Sequence, residues 1–309
     1  MRGRALGLLL GAVADVVLGD PRAGHPVAGF GTVAAALERC CYADRRTVGA
    51  GYTVVLAGAA AGLGAVLERI GRRNPLAGVA VTAAATWVVL GGGSLAREGA
   101  ALAAELGRGD LVAARARLPN LCGRDPAVLD VAGMARAGTE SLAENTSDAV
   151  VAPLLWGAVA GVPGLLGYRA VNTLDAMVGY RSPRYRRFGW AAARLDDVAN
   201  LVPARVAALL FAAVAPAVGG SSTAALAAWR RDAAAHPSPN AGPVEAAAAG
   251  ALGVVLGGRT VYAHSVEERP GLGTGPPPGP ADLLRAVHLS RLIAAAAAIL
   301  SAMIATSAR

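Results

Sequence analysis

The sequence predicts an all-α, polytopic integral membrane protein with about five transmembrane helices and polar helical loops that form the site. Three observations predict it. Apolar residues make up 54% of the 309-residue chain and charged residues 16%, against about 25% charged in ordinary globular chains. Alanine and glycine are abundant, with only 4 Trp, 6 Tyr and 3 Phe, and small side chains let helices approach closely in lipid. Several nearly pure apolar runs approach the ~20 residues needed to cross a bilayer.

In chain order, a basic start (Arg2, Arg4) leads into an apolar run at 5–19. Asp15 interrupts that run and no convincing small-residue cleavage site follows, so it reads as a retained helix and not as a leader. The Gly/Pro-rich loop GDPRAGHPVAGFG at 19–31 carries Asp20, Arg22 and His25 and looks like part of a site at a membrane edge. Runs at 52–67 and 76–95 are the clearest spans, joined by a loop with Arg69, Arg72 and Arg73. Residues 97–149 turn polar and helical. The apolar stretch 150–168 is interrupted by Gly161-Val162-Pro163-Gly164. A proline flanked by glycines breaks a helix, so this segment is expected to enter the membrane and turn back as a bent hairpin. Runs at 202–218 and 291–306 are the remaining spans, separated by a polar region at 219–290. The whole chain, 1–309, reads as one membrane domain with polar helical insertions at about 97–149 and 219–290.

Composition also excludes. The formal charge is +8, and all 29 basic residues are arginine. Without lysine there is no Walker A loop and no pyridoxal Schiff base. Arginines scattered between apolar segments, with few aromatics, point away from nucleic acid and toward a membrane surface or an anionic small molecule. No HExxH or CxxC spacing supports zinc, and no GxSxG elbow supports an esterase. Cys40, Cys41 and Cys122 form no disulfide or metal framework and read as reduced thiols.

Polar chemistry concentrates at 140–205. Glu140, Glu144 and Asp148 stand four apart, which on a helix places three carboxylates on one face. Asn145 and Ser147 flank them. Asn172, Asp175, Arg181, Arg184, Arg187, Arg194, Asp196, Asp197 and Arg205 follow. Carboxylates that hold magnesium, beside arginines that hold phosphate, meet the needs of phosphoryl and acyl-phosphate chemistry. The expected magnesium ligands are Glu144 and Asp148 with Asp196 or Asp197. Arg181, Arg184 and Arg187 are the expected phosphate contacts, since a guanidinium fork suits phosphate. His25 and His236 titrate near neutrality and are candidate acids or bases. Broken apolar segments with charge between them also suit a transporter or binding protein for an anion, a second class that sequence alone leaves open.

Four stretches together resemble the adenosylcobinamide-phosphate synthase family, the membrane proteins of cobalamin biosynthesis called CobD or CbiB. They are GDPRAGHPV at 19–27, GRDPAVLD with ESLAENTSDAVVAPLLW across 123–156, NTLDAMVGYRSPRYRRFGWAAARLDDVANLVPAR at 172–205, and HPSPNAGPVEAAAAGALGVVLGG at 236–258. The chain departs at Ala28, where a basic residue is usual, and at 241–244. The resemblance implies an ATP-dependent amide ligase that joins adenosylcobyric acid to aminopropanol or aminopropanol phosphate, giving adenosylcobinamide or its phosphate. It implies ATP as co-substrate, Mg²⁺, a corrinoid substrate, the lipid bilayer and other cobalamin-assembly enzymes as partners, and no nucleic acid. It implies a cell-membrane location with the site on the cytosolic side. Asp20, Arg22, Asn145, Asn172, Asp175, Arg194 and Asn240 are further expected substrate contacts, and Glu144, Asp148, His25 and His236 the expected catalytic residues.

Overall fold

The computed structural model describes residues 2–21, 24–180, 182–262 and 265–307. The chain is an all-α polytopic membrane protein apart from one short β-hairpin. Among the described residues, five helical stretches are long and apolar enough to cross a membrane: Arg46–Gly71, Pro75–Gly107, Val131–Val178, Trp190–Val218 and Pro280–Ser307. The expected span at 5–19 is a helix of 17 residues, Arg2–Leu18, shorter than these five and not among them. Its place is taken by Val131–Val178, which includes the interrupted apolar stretch. The residues divide into two compact units.

The first unit comprises Met1–Gly91, Ala152–Asn200 and Ala297–Arg309. It holds α1 (Arg2–Leu18), α2 (Pro26–Cys41), α3 (Arg46–Gly71), α4 (Pro75–Val89), α8 (Ala152–Val178), α9 (Tyr185–Phe188) and the start of α10 (Trp190–Val214). Side-chain caps fix two of the starts. Asn74 accepts from Leu76 N at 2.8 Å, with Pro75 at the first helical position. His25 does the same for α2 with Pro26. Small residues set the packing. Gly7 and Gly11 lie directly against Thr82 and Thr86, so α1 and α4 meet with no room for a Cβ. The fully buried Phe188 sits among Tyr52, Leu56, Leu174 and Val178.

The break in α8 is a reversal. Gly161 has φ 68° and ψ −151°, a conformation open essentially to glycine alone. Trp156 donates to Ala199 O at 3.0 Å and Tyr168 OH bonds Asn200 Oδ1 at 2.8 Å. A continuous helix would hold residues twelve apart at ~18 Å, yet these two reach neighbouring residues of α10. The hairpin expected from Gly161–Gly164 is therefore present. Its apex is satisfied in place. Val162 N–H donates to Glu68 Oε2 at 3.2 Å, and Arg4 bridges Ala158 O at 3.3 Å and Glu68 Oε1 at 3.1 Å. Backbone groups freed at a helix break need such partners when water is excluded.

The second unit comprises Gly92–Val151 and Leu201–Ala296. It holds α5 (Gly92–Gly107), α6 (Leu111–Arg117), α7 (Val131–Thr146) with a π turn at Ser147–Val151, the later part of α10, α11 (Ser222–Asp232), α12 (Ala241–Leu252), strands β1 (Leu256–Tyr262) and β2 (Ser265–Leu272), and α13 (Pro280–Ser307) up to Ala296. The polar stretches at 97–149 and 219–290 both fall here. The antiparallel hairpin, absent from the sequence expectation, pairs Leu256 with Leu272 and Tyr262 with Ser265. Two glycines of β1, Gly257 and Gly258, take φ of 83° and 79° where the register shifts. All twelve residues of α12 are buried. Eight of them are alanine or glycine, and Gly250 packs directly on the backbone at Ala224.

Candidate functional site

A buried polar cluster lies in the second unit. Asp130 starts α7 by accepting from Gly133 N at 2.7 Å. Two turns on, Glu140 is buried in an ion pair with Arg124, whose side chain is equally enclosed. Glu140 Oε1 also accepts from Gly257 N at 2.7 Å. Arg136 donates to Arg259 O at 2.8 Å, and Asp125 N to Val261 O at 3.1 Å. These bonds pin β1 against α7. Glu140 is therefore a structural anchor, and the three carboxylates spaced by four residues do not share one environment. Glu144 is exposed, and Asp148 is half-buried inside the π turn.

Facing this cluster, α12 carries Glu245, 1% exposed, in a run of small apolar residues. His236 stands before α12, its Nε2 3.9 Å from Glu245 Oε2. Its Nδ1 lies 3.1 Å from Ser238 N and 3.3 Å from Ser238 O. Asn240 accepts from Arg205 Nη1 at 2.8 Å, and its backbone N–H donates to Ser238 Oγ at 3.3 Å. Burial pushes Glu245 up to about 8, the negative charge of Glu144 adds to this, and Arg269 and Arg124 oppose it. Burial pushes the His236 imidazole down, so it is held neutral. Asn145 donates to Ser141 O at 2.9 Å and to Ser141 Oγ at 3.2 Å.

The sign of the Glu245 shift is testable. A group with a raised folded pKa binds a proton that the unfolded chain has released, so stability falls as pH rises between the ordinary 4.5 and about 8. Neutral His236 acts in the opposite sense below its ordinary 6.5. Glu245→Gln removes only the first contribution. Thermal midpoints followed from pH 4.5 to 8 should fall more steeply in the wild type than in Glu245→Gln, and parallel curves would contradict the assignment.

The other expected site residues lie in the first unit. Asp196 accepts from Asn172 at 3.3 Å and from Asn200 at 3.0 Å, and Asn200 in turn bonds Tyr168, a polar ladder between α8 and α10. Asp175 follows on the same helix and accepts through its carbonyl from Gly179 N at 2.7 Å. Asp197 pairs with Arg194 at 3.4 Å. Arg184 is already engaged. It donates to buried Glu38 at 2.9 Å and stacks on Tyr42 at 4.0 Å from the ring centre. Arg187 lies 3.7 Å from Asp44 at the surface. His25 Nδ1 accepts from Val27 N at 3.2 Å as the cap of α2, and its Nε2 is 4.0 Å from Asp20. Arg22 and Arg181 lie outside the described residues.

Magnesium takes near-octahedral oxygen ligands. Among the described residues no group of three or more His, Cys, Asp or Glu side chains gathers as metal ligands. Of the expected set, Glu144 and Asp148 lie in the second unit and Asp196 and Asp197 in the first. Asp196 accepts from two amides and Asp197 pairs with a guanidinium.

The family model for the CobD/Cbib protein matches residues 8–290. The chain belongs to the CobD/Cbib family. A CobD/Cbib relative from Mycobacterium tuberculosis, named cobalamin biosynthesis protein CobD, is 60% identical over 97% of this chain and 96% of its own. Proteins of the same name from Rhodobacter capsulatus and Chromobacterium violaceum are 44% and 43% identical, each over at least 90% of both chains. No solved structure matches this CobD/Cbib chain. Sequence reasoning missed Glu245, Arg124, Arg269 and Glu38 as members of polar clusters. For Glu245 a signal existed: a lone carboxylate in an alanine-rich apolar helix is rarely left buried without a purpose.

Proposed function

We propose that the chain acts in cobalamin biosynthesis as an ATP-dependent amide ligase, joining a propionate carboxylate of adenosylcobyric acid to aminopropanol or its phosphate. The observation that carries this reading is near-full-length identity of 60% to a cobalamin biosynthesis protein, with the polar motifs of all four stretches present. An amine does not displace oxygen from a free carboxylate, so transfer of a phosphoryl or an adenylyl group from the nucleotide would first make that oxygen a leaving group. Magnesium, arriving with the nucleotide phosphates, would supply charge neutralisation there. The chain's own contribution is the enclosed Arg124–Glu140–Glu144–His236–Glu245 cluster, where charges act with little screening by water. Exposed Glu144 gives that cluster an accessible side. Small alanine and glycine helices leave the room that a bulky corrinoid needs near the bilayer.

A transport reading draws on one observation, the reversed α8 hairpin with its polar ladder to α10. One preparation separates the two. Purified protein in nanodiscs, given adenosylcobyric acid, aminopropanol or its phosphate, and Mg-ATP, should yield the amide product by mass spectrometry. Absence of product, with corrinoid uptake into proteoliposomes, would replace the ligase reading by transport.

A further inference from the structure

A cavity of about 300 Å³ opens in the first unit between α2, α3, α4 and α8. Its walls are Phe30 of α2, Leu56 and Leu63 of α3, Val89 of α4 and Leu166 of α8, with alanines between them. Three of those four helices belong to stretches long and apolar enough to cross a membrane. Val33 and Leu63 in the lining are 59% and 56% exposed, so the cavity is open at the surface of the chain. Apolar walls give water no hydrogen-bond partners, and such spaces stay dry or take an apolar guest. The volume narrows the choice of guest. It stands at the lower end of the roughly 300–1,000 Å³ of small-molecule sites, too small to enclose a macrocycle such as a corrin. A flexible hydrocarbon chain fits, and each methylene that enters adds apolar burial.

Charge narrows it further. Among the described residues that line the cavity, only Arg169 is charged. Thr173, one turn along α8, spends its hydroxyl on Arg169 O at 2.7 Å, so the guanidinium is the polar group that faces a guest. A guanidinium carries five N–H donors and can meet a phosphate oxygen while keeping another partner. Arginine among membrane-spanning helices is costly and marks a place where opposite charge is met. The complementary guest is hydrocarbon for most of its length and negative at one end.

We propose that this cavity holds one acyl chain of an anionic phospholipid whose phosphate meets Arg169. The test takes the full chain in detergent and offers dioleoyl phosphatidylglycerol and dioleoyl phosphatidylcholine at equal concentration. Native mass spectrometry then counts the lipid that stays bound. The wild type should retain one phosphatidylglycerol, preferred about tenfold or more over phosphatidylcholine, since a charge-assisted hydrogen bond separates the two. Arg169→Gln should remove that preference. Ala60→Phe, which fills the cavity, should release the lipid. Val54→Phe, on the exposed surface of α3 and outside the cavity, should keep it. Equal retention by the Ala60 and Val54 variants would overturn the proposal, as would a wild type that holds the two lipids alike. If Ala60→Phe fails to fold, Ala59→Leu takes its place against the same control. Adenosylcobyric acid that displaces the phosphatidylglycerol, and is itself lost in Ala60→Phe but not in Val54→Phe, would make the cavity a substrate site and overturn the lipid occupant.

Discussion

Glu140→Ala is expected to leave little folded protein. Glu140 closes a buried ion pair with Arg124 and also accepts the Gly257 N–H that holds the β-hairpin. Removing one partner of a buried pair strands the other charge, at a cost of roughly 3–5 kcal/mol. The extracted variant should run as aggregate on size exclusion, or melt many degrees below the wild type. The double change Arg124→Met with Glu140→Leu removes both charges and should recover much of that loss, because a well-packed apolar pair is often as stable as the ion pair it replaces. A single Glu140→Ala variant as stable as the wild type would show that the hairpin is not anchored there.

Gly161→Ala should be the second large effect, this time in the first unit. The residue sits in a backbone region that non-glycine residues reach only with strain of about 1–3 kcal/mol. The added carbon would also meet the Glu68 carboxylate and the Arg4 guanidinium that satisfy the hairpin apex. Together these should cost on the order of 2–4 kcal/mol. Gly62→Ala, on α3 with open space around its Cα, is the matched control and should be close to neutral. Equal melting temperatures for the two variants would argue against a reversal at 161.

The contrast between these elements shows what is legible in the sequence. The span count and the hairpin are readable because both rest on local chemistry: run length against bilayer thickness, and a proline between glycines. The length of α1 is not, because apolar composition does not say where a helix stops; Gly19, at φ 64°, ends this one. The β-hairpin is hidden because its strands carry glycine, arginine and glutamate in place of the β-branched alternation that marks strands.

For the site, spacing places Glu140, Glu144 and Asp148 on one stripe, but it cannot show that Arg124, sixteen residues upstream, returns to neutralise the first of them. Nor can it show that Asp148 falls in a π turn. Arg184 reads as a phosphate hook in sequence because its partner Glu38 is 146 residues away. Long-range pairing decides whether a charge is spent on the fold or left for a ligand, and that information is not in any local window.

The enclosed α12 bears on how relatives of this chain are compared. A side chain larger than methyl has nowhere to go at most of its positions, and Gly242 and Gly250 already touch neighbouring backbone. Aligned sequences should therefore show the run Ala246–Ala251 nearly frozen for reasons of volume alone. A ranking of positions by invariance would score its alanines beside any residue that meets a substrate. The position in α12 whose invariance volume does not explain is Glu245, since a glutamine would serve packing as well.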